Sequence, residues 1–126
     1  MPYKLECAQS FSSEDASEAD INQAFDDDRI RGEFIILTAS DGSFIQAAGE
    51  GDGPYALEYR EEGASKNYQA VEEFTKEQVR VAFLEYLRGD PGWRSRQDWK
   101  PVKSSGCLPT IVFAVVLGGA LALSVG

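Results

Sequence analysis

The chain has 126 residues, with 21 acids against 12 bases for a net charge of −9, no histidine and two cysteines. Without histidine, nucleophilic catalysis of the Ser-His-Asp or Cys-His kind is excluded, and Cys7 and Cys107 alone do not make a zinc site. The acidity makes the chain a poor direct ligand for nucleic acid and points to solubility or to basic partners.

Residues 3–8 (YKLECA) alternate Tyr3, Leu5 and Cys7 on one side, the period of a half-buried strand. The segment from Ser12 to Asp28 then carries seven acids and no base. Within it Ile21, Ala24 and Phe25 stand at i, i+3 and i+4, which predicts a short helix. Ser17 with Asp20 three residues on is a partial capping box. Asp26, Asp27 and Asp28 oppose the dipole at a helix C-terminus, so the helix is expected to end near Phe25, with Arg29 and Arg31 softening the repulsion.

Phe34–Leu37 and Phe44–Ile45 flank Asp41-Gly42, and the pattern predicts a hairpin closed by a tight turn with positive φ at both central residues. The continuous apolar run over 34–37 predicts a central strand buried on both faces. The glycine-rich stretch 49–54 (GEGDGP) runs into an alternating strand with Tyr55, Leu57 and Tyr59. A phosphate loop would instead run into a helix and carry a lysine, and Glu50 with Asp52 falls short of a calcium loop. A turn over 61–65 and a further strand within 66–72 follow. Thr75 with Gln78 is a full capping box. Val79, Ala82, Phe83, Tyr86 and Leu87 then form one apolar face, and Gly89 with Pro91 beyond it stops the helix. Trp93 and Trp99 are expected to close the core edge, with the lipid interface as the other place for Trp99.

Residues 107–126 (CLPTIVFAVVLGGALALSVG) carry no charge. A helix of about 20 residues rises roughly 30 Å, enough to cross the hydrocarbon of a bilayer. The segment is therefore expected to be a single transmembrane helix, with Pro109 in its first turn. Ala114, Gly118, Ala122 and Gly126 share one stripe that would let two spans approach closely, so a homodimer is a candidate assembly. Arg94, Arg96, Lys100 and Lys103 precede the span, which places the domain on the cytoplasmic side. In that reducing compartment a bridge between Cys7 and Cys107 is not expected. Cys107 stands where acylation occurs, with an inert thiol as the plainer expectation.

The predicted architecture is thus α+β: a small, mostly antiparallel sheet with two helices on one face. Residues 1–99 form an acidic soluble domain, 100–106 a short linker and 107–126 the span. Carboxylates abound, but none stands in a context that marks a catalytic acid or base. The expected function is non-enzymatic protein binding at a membrane, with no cofactor and no metal, and a carboxylate- and metal-dependent activity is the lesser alternative. The candidate contact face carries Glu18, Asp26, Asp27 and Asp28, complementary to a basic cleft. A scaffold, or a regulatory subunit of another membrane protein, is the alternative.

Over residues 34–99 the order of hairpin, glycine-rich bend, YALEYR strand, further strand, FLEYLRGD helix and final DW resembles small bacterial immunity proteins of the Imm1-like kind. Phe83, Gly89 and Trp99 stand where that pattern has its late-helix Phe, its Gly and its Trp. The resemblance implies a protein that binds and neutralises a toxin. It carries no site residue across.

Overall fold

A computed structural model describes residues 2–8, 11–30, 32–63 and 66–102. The expected span, the Ala114–Gly118–Ala122 stripe and Cys107 lie outside the described residues. Among those that are described, no helix is long and apolar enough to cross a membrane.

Seven strands form one sheet: β1 (Lys4–Cys7), β2 (Phe11–Ser13), β3 (Ile35–Thr38), β4 (Phe44–Ala48), β5 (Ala56–Arg60), β6 (Tyr68–Ala70) and β7 (Trp99–Pro101). Their order is β2-β1-β3-β4-β5-β6-β7, and every pairing is antiparallel. Three helices accompany it: α1 (Glu18–Asp26), α2 (Lys76–Arg88) and the single turn α3 (Gly92–Ser95). The α+β class and the antiparallel sheet are as the pattern predicts.

Alternation along the strands decides what each face does. Leu5 and Cys7, Ile35 and Leu37, Ile45 and Ala47, and Leu57 and Tyr59 all point into one core with Ile21, Ala24 and Phe25 of α1 and Val79, Ala82 and Phe83 of α2. Phe25 meets Phe83 edge to face, with centroids 5.8 Å apart, the arrangement ring quadrupoles favour. Burying Cys7 in this core pushes its thiol up to about 12, which leaves it inert at neutral pH.

Both helix starts are built as their sequences indicate. Ser17 Oγ accepts from Asp20 N–H and Asp20 returns a bond to Ser17 N–H, so aspartate completes the box as glutamate would. Thr75 and Gln78 do the same for α2.

The hairpin needs correction. Ala39 N–H bonds Ser43 C=O and Gly42 N–H bonds Ala39 C=O, so the loop is longer than two residues. Gly42 alone takes positive φ, at 95°, while Asp41 accepts from both Ser43 N–H and Ser43 Oγ–H. An Asx-type bond has replaced the second left-handed residue. Residues 34–37 also depart from expectation: Ile36 is only half-buried, because the helices cover a single face of the sheet.

Three elements were not legible in the pattern. β2 is a short edge strand inside the acidic segment. α3 carries Trp93 into the core, 8% exposed. β7 continues the sheet through Pro101, so the fold extends into the segment read as linker. Trp99 belongs to this edge. Its ring stands 4.7 Å from that of Tyr59, and its indole N–H donates to Arg94 C=O.

Truncating Phe83 to alanine removes the side chain that joins the two main helices and leaves a cavity. We expect a loss of about 3–5 kcal/mol, read as a lower urea midpoint at unchanged slope.

Candidate protein-interaction surface

The four acids singled out in the sequence divide between the two ends of α1. The helix has nine residues, so its ends stand about 13 Å apart. Glu18, in the first turn, accepts two bonds from Arg88, at 2.7 and 3.0 Å. Those bonds hold its carboxyl below the ordinary value. Its charge is thus matched within the molecule, and it stands apart from the other three.

Asp26, Asp27 and Asp28 occupy the helix C-terminus. Asp27 caps α1, Asp28 N–H bonds Phe25 C=O and Arg29 N–H bonds Ala24 C=O. This is the double-bonded helix stop in which the residue after the cap is left-handed, a place usually held by glycine. Here it is held by Asp28 at φ 50°. Aspartate tolerates this region better than most residues, at some cost. Three carboxylates also stand where the helix dipole is negative. Arg80 pairs with Asp26 at 3.0 Å and Arg29 with Asp27 at 3.5 Å.

The loop after β4 brings more acid to the same edge. Gly32 N–H bonds Gly49 C=O, which ties the segment after α1 to this loop. Tyr55 packs on Gly49, where a Cβ would stand 2.6 Å from the ring. Its hydroxyl donates to Gly51 C=O at 2.8 Å. The phenol is pushed up to about 12, by burial first and then by the negative charge of Asp28, Asp52 and Glu50. Asp28 on one loop and Glu50 and Asp52 on the other thus each add negative charge felt at this hydroxyl. In the sequence Glu50 and Asp52 stand out only as too few for a calcium loop. Nothing local links them to Asp28, since the sheet alone brings the two loops together.

A concavity of about 270 Å³ lies at the opposite end of the sheet between Asp41, Ser43, Glu61, Tyr86 and Trp93. Tyr86 donates to Ser43 Oγ at 3.0 Å. Beneath it Tyr59 stacks on Tyr68, centroids 5.6 Å apart, and carries the Arg94 guanidinium 5.1 Å from its ring. Arg94 in turn pairs with Glu61. The Tyr59 ring is therefore occupied by its own neighbours, which makes this cleft a packed edge of the core.

No group of three or more metal-ligating side chains forms among the described residues. The chain matches no protein-family model, no curated protein and no solved structure.

An aspartate in a glycine position, inside a run of three acids at a helix C-terminus, is locally unfavourable. Asp28→Gly should raise stability by up to about 1 kcal/mol, since glycine removes the left-handed strain but widens the unfolded ensemble. Urea unfolding of the two proteins measures the difference.

Proposed function

We propose that this chain is a non-enzymatic, membrane-tethered domain that binds a basic protein partner, in the manner of an immunity protein occupying the basic cleft of a toxin. The observation that supports this reading best is the acidic edge formed by Asp26, Asp27 and Asp28 with Glu50 and Asp52. Local misfits of this kind tend to persist where function keeps them. Converging carboxylates raise the local concentration of a basic partner and steer its approach. Residues 107–126 provide the tether in this reading, with the domain on the cytoplasmic face. They keep the domain close to the bilayer, because little chain separates Pro101 from Cys107.

The test uses the full-length chain in mild detergent. A partner recovered by co-purification should be basic, and its association rate should fall as salt rises. Combining Asp28→Asn, Glu50→Gln and Asp52→Asn should slow association at low salt by about tenfold. An association rate indifferent both to salt and to these substitutions would contradict the reading. Truncation after Lys103 separates the tether from the binding part. Binding retained in solution fits a tethered inhibitor, whereas binding lost with the tail favours a regulatory subunit of another membrane protein.

A further inference from the structure

Gln46 on β4 and Glu58 on β5 are direct cross-strand partners, and both are 0% exposed. Ile45, Ala47, Leu57 and Tyr59, their neighbours along the strands, point into the helix-covered core. Gln46 and Glu58 therefore point from the opposite face. Gln46 Nε2–H donates to Glu58 Oε1 at 2.8 Å, and Asn67 Nδ2–H donates to the same oxygen at 2.9 Å. Glu58 Oε2 and Gln46 Oε1 have no partner, and they are the two buried side-chain atoms among the described residues left in that state.

These two orphans belong to one carboxyl–amide pair already joined by a hydrogen bond between its other atoms. As a carboxylate, Glu58 has only acceptors, so its second oxygen has nothing to give the amide oxygen. As a carboxylic acid it has one O–H to give. We propose that Glu58 is a neutral carboxylic acid whose Oε2–H donates to Gln46 Oε1, so that the pair is a proton-binding site built into the sheet. One proton satisfies both orphans and removes a buried charge, each of which would otherwise be costly.

The surroundings favour the neutral acid. Burial pushes the carboxyl up to about 7, against the bonds from Asn67 and Gln46, which favour the charged form. By strand register, the charged side chains on this face among the described residues are Lys4 and Glu6 on β1, Arg60 on β5 and Lys100 on β7. β4 and β6, the strands flanking Glu58, place no charged residue on it. Proton loss leaves an unmatched charge beside Asn67, whose C=O accepts from Val102 N–H at 2.9 Å. The residue whose amide meets the carboxyl is thus also the one that pairs with the chain just after β7.

The native state binds this proton more tightly than the unfolded chain, where the carboxyl has its ordinary value near 4.5. Stability therefore falls as pH rises from about 4.5 to about 7 and is flat on either side, as far as this group is concerned. The experiment is a carboxyl carbon-13 NMR titration of the full-length protein in detergent, with urea unfolding across the same pH range. The Glu58 resonance should titrate near 7. Relative to Glu58→Gln, the folding constant of the unaltered protein should drop on the order of 100-fold across the window. Asn67→Ala removes a donor to the charged form and should move the midpoint higher, and it assigns the resonance if Glu58→Gln does not fold. A Glu58 midpoint at the ordinary carboxylate value, or unfolding curves for the two proteins that run parallel with pH, would overturn the proposal.

Discussion

The structure depends on the packing of α1 and α2 against a single face of the sheet, with Phe25 and Phe83 in edge contact at its centre. Each helix is too short to persist alone. Each is held by an apolar stripe that has only the other helix and the sheet on which to bury itself. Arg80 reinforces the seam at its edge, donating to Asn22 at 3.1 Å and pairing with Asp26. Its guanidinium also stands 5.9 Å from the Phe25 ring. The side chain that packs over the aromatic core is thus the one that meets the acidic helix end.

This one-sided packing sets the character of everything else. The helix-covered face is apolar. The other face holds a polar row in which Glu6, Ile36, Gln46, Glu58, Gln69 and Lys100 lie in register from strand to strand. The carboxyl in the middle of this row is fully buried yet receives no opposing charge from the strands beside it. Its protonation state is then governed by burial and by two amides. The loops at the two ends of the sheet gather different side chains. One end collects Asp28, Glu50 and Asp52 around Tyr55. The other collects rings around Tyr59.

The acidic edge and the buried acid are different uses of the same residue chemistry. At the edge, carboxylates act at a distance through water, where salt screens them. In the sheet, one carboxyl is removed from water, and solvation rather than Coulomb interaction decides its state. A domain with so large an excess of acids therefore contains one whose neutrality matters more than its charge.

Much of this fold was legible in residue order. The capping residues Ser17 and Thr75, the apolar faces of α1 and α2 and the alternation of β1 and β5 are local patterns, and local sterics and solvation enforce them. The hairpin was legible in its strands but not in its turn, since a side-chain bond from Asp41 competed with the backbone preference of an Asp-Gly pair. β2, α3 and β7 are too short to carry a period, and they exist because a neighbouring strand or ring completes them. The candidate site divides in the same way. Asp26, Asp27 and Asp28 are adjacent in the chain and could be read together. Their separation from Glu18, the arrival of Glu50 and Asp52, and the pairing of Gln46 with Glu58 depend on which strands lie side by side. By itself the sequence determined helix ends, strand faces, the excess of acid and an uncharged final segment, because each follows from neighbours along the chain. Only the tertiary structure decided which carboxylates share a field and which one loses its water, because solvation and Coulomb energy depend on distance in space.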